Sequence, residues 1–234
     1  MNKAIIIGRL GKEAKFFNGG EQIACRFQLA VKERWKSKNN EPRERTEWVN
    51  VVALGSVAEQ MKGVAKGTLV FVQGSASTGS YTKEDETRYY FEIRARQIRI
   101  LPETGKQFLK DLDQNEIALV GRLGQDPVTP KEGITHFSLA CNDYLKGQED
   151  TQWISVATFN GLSDNAARIL SKGRLVLVDG KVRTRKYDKN GQSRYATGVV
   201  AHRWRALDAR PKRQESEEYH ESAPYDHADD DIPF

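Results

Sequence analysis

Apolar residues alternate with smaller or polar ones along Ile23, Cys25, Phe27, Leu29 and Val31, with Ala24, Arg26, Gln28 and Ala30 between them. Period two is the signature of a strand with one buried face. Similar runs lie at 4–10, 48–54, 68–74 and 88–100. Between the third and fourth runs the pattern loosens, and 57–66 reads as a short helix. A second helical stretch, 165–172, follows Ser163 as a candidate cap.

The second helix is one sign of an internal repeat, and repeats are sought first because they govern the fold. Ile6-Ile7-Gly8-Arg9-Leu10-Gly11 recurs as Leu119-Val120-Gly121-Arg122-Leu123-Gly124, and Phe27-Gln28-Leu29-Ala30 as Phe137-Ser138-Leu139-Ala140. Thr46-Glu47-Trp48 returns as Thr151-Gln152-Trp153. Lys66-Gly67, Gly74, Tyr81 and Arg88-Tyr89 return at Lys172-Gly173, Gly180, Tyr187 and Arg194-Tyr195. The chain therefore divides into a unit at 1–100, a linker at 101–114 with Pro102 and Gly105, a second unit at 115–207, and a tail at 208–234. Each unit reads as three strands, a helix and two strands. That order, in about a hundred residues, fits an all-β class of two tandem five-stranded Greek-key barrels of the OB type.

Charge separates the body from the tail. Eight of the 32 acids, and no Lys or Arg, lie beyond position 213, which leaves 24 acids against 37 bases in the body, a net charge of +13. A basic body points to a polyanionic partner, and a terminal block of one charge is expected to be disordered. No apolar run approaches the roughly 18 residues of a membrane helix. The apolar stretch near the N-terminus is too short for a signal peptide, so the chain is expected in the cytoplasm. Cys25 and Cys141 form no metal-ligand spacing and are read as small strand residues. A Gly-Lys-Ser/Thr phosphate loop, a His-Glu-x-x-His motif and paired cysteines are all missing, and His136, His202, His220 and His227 are scattered. A non-enzymatic protein without cofactor or metal is expected.

The surface chemistry narrows the polyanion. On the third strand of the second unit, Trp153, Ser155, Ala157 and Phe159 share one face opposite the aliphatic Ile154 and Val156. The first-unit counterparts are Trp48, Asn50, Val52 and Leu54. Two aromatics about 20 Å apart on such a face suit base stacking; the alternative is burial under the helix or at a subunit contact. Cations flank this face. Arg34, Trp35, Lys36 and Lys38 interleave an aromatic with bases, and Arg183, Arg185, Lys186 and Tyr187 lead into the turn at Asn190-Gly191. Arg94, Arg96 and Arg194 add charge on the last strands. Phosphates need cations and unstacked bases need flat apolar partners, a pairing that favours single strands, with RNA left open beside DNA. The cation-rich element differs between units: it follows the second strand in unit one and joins the last two strands in unit two.

The run Asn2 to Gly11, Thr46-Glu47-Trp48, Gly191-Gln192-Ser193-Arg194-Tyr195 and the ending Asp229-Asp230-Asp231-Ile232-Pro233-Phe234 together resemble the bacterial single-stranded DNA-binding protein family. Two units in one chain resemble its Deinococcus-Thermus form. The resemblance implies sequence-independent binding and protection of single-stranded DNA in replication, recombination and repair, in the nucleoid. It implies a homodimer displaying four OB folds. It assigns base-stacking roles to Trp35, Trp48, Tyr81, Tyr144, Trp153, Phe159 and Tyr187. It also makes Asp229, Asp230, Asp231, Ile232, Pro233 and Phe234 a docking peptide for replication and repair proteins. The chain departs from the family pattern at Leu54, where the second unit has Phe159, at Ser77-Thr78-Gly79-Ser80 opposite Arg183-Thr184-Arg185-Lys186, and in its short tail.

Overall fold

A computed structural model describes residues 1–18, 22–37, 39–83, 86–102, 112–145, 148–189 and 192–208. The first unit contains β1 (Asn2–Leu10), β2 (Lys15–Asn18), β3 (Ile23–Lys36), β4 (Pro42–Leu54), α1 (Gly55–Glu59), β5 (Leu69–Lys83) and β6 (Glu86–Ile100). The second repeats the order as β7 (Gln114–Leu123), β8 (Val128–Lys131), β9 (Ile134–Leu145), β10 (Gln148–Phe159), α2 (Gly161–Ile169), β11 (Leu175–Lys189) and β12 (Gln192–Ala206).

In each unit five strands close on themselves. β1 pairs with β5 over Ala4 to Arg9 and bends at its end to meet β3 at Arg9 and Leu10. β3 pairs with β4, β4 with β6 in parallel through Val51 and Val52, and β6 with β5, which completes the ring. The bend depends on a residue without a side chain. A Cβ at Gly8 would stand 2.8 Å from the Ala30 carbonyl oxygen, and one at Gly121 2.5 Å from that of Ala140. β2 and β8 are short extra edges on β3 and β9 that the alternation does not reveal.

Alternation places Ile6, Leu10, Leu29, Val49, Val51, Val72 and Ile93 inside the first barrel and Leu119, Leu139, Ile154, Val156 and Val178 inside the second. Burial of each such side chain contributes about 1.5–3 kcal/mol. Each helix plugs one barrel end, α1 through Ala58 and α2 through Ala166.

Both helices start earlier than the sequence pattern indicates. α1 is a five-residue helix at Gly55–Glu59, ahead of the expected 57–66, and it opens on Gly55, whose φ is +57°. α2 ends at Ile169, and Ser163 lies within it, buried, with its hydroxyl bonded to that of Thr135 at 2.8 Å. It is a core contact and not a cap.

The barrels are joined by main-chain hydrogen bonds. β1 and β7 pair antiparallel from Asn2 opposite Leu119 to Ile7 opposite Gln114, making one twelve-stranded sheet. Beside this seam, Asn2 and Asn115, counterparts in the repeat, each tie the seam strand to the hairpin of their own unit. The Asn2 amide receives the Ala76 N–H and donates to the Ala76 carbonyl, and Asn115 does the same with Val182.

Candidate nucleic-acid interface

The outer faces of β4 and β10 carry their aromatics in the open. Trp48 is 48% exposed, Trp153 55% and Phe159 39%, so none is buried under a helix or within the chain. Each tryptophan lies over a glycine at the end of the first strand of its unit. A Cβ on Gly11 would meet Trp48 Cζ3 at 2.4 Å, and one on Gly124 would meet Trp153 Cζ3 at 2.3 Å. These glycines let the indoles lie flat on the barrel. Trp35 and Tyr81 are also exposed, and Tyr187 is half-buried opposite Arg194 in the β11–β12 ladder.

The cations surround these faces and are mostly paired. Arg34 and Lys32 both reach Glu44, at 2.9 and 3.0 Å, and their hydrogen bonds hold its carboxyl below the usual carboxylate range. Arg94 donates to Ser77 Oγ at 3.0 Å and lies 3.5 Å from Asp150 of the second unit. Arg194 pairs with Glu86 of the first unit, lowering that carboxyl as well. Lys36, Arg96, Arg185 and Lys186 are exposed. Arg183 turns inward: its guanidinium is 3.1 Å from Glu33 and 3.5 Å from Glu47, both in the first unit. Lys38, the side chain of Tyr144, and Asp229, Asp230, Asp231, Ile232, Pro233 and Phe234 lie outside the described residues.

A pair of buried acceptors ties each tryptophan strand to the opposite unit. Glu47 Oε1 accepts the Thr184 N–H at 2.7 Å, and its repeat counterpart Gln152 accepts the Thr78 N–H at 2.6 Å. Both acceptors are only 4% exposed. Burial pushes the Glu47 carboxyl up, against the pull of the Thr184 N–H and of Arg45. The long hairpin of each unit is thus fastened to the strand that carries the other unit's indole.

Some exposed groups are absent from the sequence-based site. Tyr89 and Tyr195, 68% and 70% exposed, enter the sequence reading as repeat landmarks, and Tyr195 also within a family motif, with no binding role given to either. Arg45, outside that site, lies over the Trp35 ring at 6.0 Å. Arg26 crosses the outer face of the first unit to Glu92 at 3.1 Å. Both cysteines are buried free thiols, pushed up to about 11 by burial. Among the described residues there is no cluster of three or more metal-ligating side chains and no helix long and apolar enough to cross a membrane.

Comparison with known proteins agrees with this geometry. The wild-type single-stranded DNA-binding protein from Thermus aquaticus superposes with a TM-score of 0.68 at 24% identity, over 94% of this chain and 97% of that one. A deletion variant of the same protein gives 0.71 over 92% and 98%. At this identity the likeness shows the fold: two tandem OB barrels. Single-stranded DNA-binding protein 2 of Streptococcus agalactiae is 34% identical over 106 residues, which span 42% of this chain and 81% of that protein. The corresponding protein of Neisseria meningitidis is 34% identical over 105 residues, 43% of this chain and 60% of its own length. The model of the single-strand binding protein family matches twice, over 1–101 and 114–207, and the chain belongs to that family.

Proposed function

We propose that this chain binds single-stranded DNA without sequence preference and shields it during replication, recombination and repair. The observation that carries the reading is the placement of Trp48 and Trp153 on the open outer faces of their barrels, with exposed cations beside them. Bases of any identity present a flat face for stacking, and cations neutralise phosphates whatever the sequence. The role is binding, without a catalysed reaction, in the cytoplasm and at the nucleoid. Competition between oligo(dT), oligo(U) and duplex DNA for the purified protein tests it. Oligo(dT) is expected to win; equal competition by duplex overturns the single-strand reading, and equal competition by oligo(U) overturns the preference for DNA.

A homodimer fits the outer side of the sheet that joins the units. Ile5, Ile7, Phe71, Val120 and Leu177 alternate with core residues, point away from both barrels, and remain half-buried in one chain. A second copy covering that stripe gives four OB folds per particle, and light scattering well above 26.5 kDa is the expected result. The acidic tail ending in Ile232-Pro233-Phe234 recruits replication and repair proteins, and removal of Phe234 alone is expected to abolish their capture.

A further inference from the structure

The two units differ in what surrounds the outer end of the strand that carries the tryptophan. Between the first unit's β3–β4 hairpin and the outer face of the second barrel lies a cleft of about 650 Å³. Phe159, Ala157 and Val200 line its apolar side, Lys181, Arg183, Arg185 and Lys186 its basic side, and Arg45 is the first-unit residue in its wall. The repeat places a different set at the equivalent position on the first unit. Asp150 stands for Arg45, Leu54 for Phe159, Ser77 for Arg183, Gly79 and Ser80 for Arg185 and Lys186, and Arg94 for Val200. There Arg94 bridges Ser77 and Asp150 across the space.

The hairpin that brings Arg45 into the second unit's cleft is anchored there. Glu33 accepts from Lys181 and Arg183, each at 3.1 Å, and lies 3.5 Å from Arg45. Glu47, on the same hairpin, holds the Thr184 N–H. Arg45 itself stays 43% exposed, with its guanidinium over the Trp35 ring. Glu33 and Glu47 thus spend the charge of the inner cations on the junction. Arg45, Arg185 and Lys186 remain around an apolar floor.

We propose that this cleft is a composite nucleotide site in which the first unit serves the second. A base lies against Phe159, Ala157 and Val200, and its phosphate lies on Arg45 together with Arg185 and Lys186. The inference rests on the single-strand reading above. It adds that the basic hairpin of unit one acts on the DNA held by unit two, and that the equivalent position on unit one, where Arg94 pairs with Asp150, has no such role.

Photocrosslinking of the full chain to oligo(dT) carrying 5-iodouracil, with adducts located by mass spectrometry, tests this directly. On the wild type, adducts at both Trp48 and Phe159 are expected. Arg45→Met is expected to weaken binding about tenfold and to remove most of the Phe159 adduct while sparing the Trp48 adduct. Arg45→Lys, which keeps the charge, is expected to restore the Phe159 adduct in large part. Loss of the Trp48 adduct with Phe159 unchanged would place Arg45 in its own unit's groove and overturn the composite site alone, as would no change at either residue. A wild-type chain that gives no adduct at either aromatic overturns the single-strand reading and the composite site together.

Discussion

Ala4 and Ile117 lie directly opposite each other in the β1–β7 ladder, and they are also counterparts in the repeat, since Ile6 matches Leu119. A residue paired with its own counterpart marks a local two-fold axis. The axis explains why Glu47 and Gln152 form matching contacts in opposite directions, each with the hairpin of the other unit. Both axial residues are buried, at 1% and 2% exposure.

Ile117→Ala is therefore expected to loosen both barrels together, at a cost of about 2–5 kcal/mol. Denaturation followed by Trp48 fluorescence in the first unit and by Trp153 fluorescence in the second, each in a variant whose other three tryptophans are replaced by phenylalanine, should show both midpoints shifted. A shift confined to the second unit would contradict the coupling through the seam.

Gly124→Ala is expected to lift the Trp153 indole off the barrel, because the new methyl carbon would stand 2.3 Å from Cζ3. The folded state should persist, since the indole is exposed and free to swing outward, while affinity for a short oligonucleotide falls several-fold. Unchanged affinity would show that the flat seating of Trp153 is unimportant.

The strands, the repeat and the outward tryptophans are legible in the sequence because period-two alternation reports burial directly. Glu47 next to Trp48 illustrates what is not legible. Its charge on an aliphatic strand face gives no hint that the acceptor reaches Thr184 of the other unit, a contact created only when β1 pairs with β7. Arg183 is similar: the sequence reads it as one of several loop cations, and only the packing of β11 against the first unit brings it to Glu33. The helix starts are not legible because the backbone turns into them at positive φ, at Gly55 for α1 and at Asn160 just before α2, and apolar periodicity carries no record of such a turn.

Glu47→Gln should keep the Thr184 N–H bond, as Gln152 does for Thr78, without a charge to bury. A carboxyl whose folded pKa is raised stabilises the fold while protonated and loses that contribution as pH rises through the folded value. Relative to the wild type, the variant is thus expected to gain stability as pH rises from below the ordinary value of 4.5 to neutrality, with little difference in acid. Thermal melts across that range check this. A variant that loses ground with rising pH would mean that the ion pair with Arg183 outweighs desolvation.

The central claim is that exposed indoles stack bases while cations neutralise phosphates, and a fluorescence titration of the full chain with oligo(dT) over a series of salt concentrations tests it most directly. Tryptophan emission should be quenched on binding, and log affinity should fall linearly with log salt by about 0.7 for each phosphate neutralised. Trp48→Ala combined with Trp153→Ala should remove most of the quenching while preserving the slope. Binding without quenching, or an affinity flat in salt, would contradict the account.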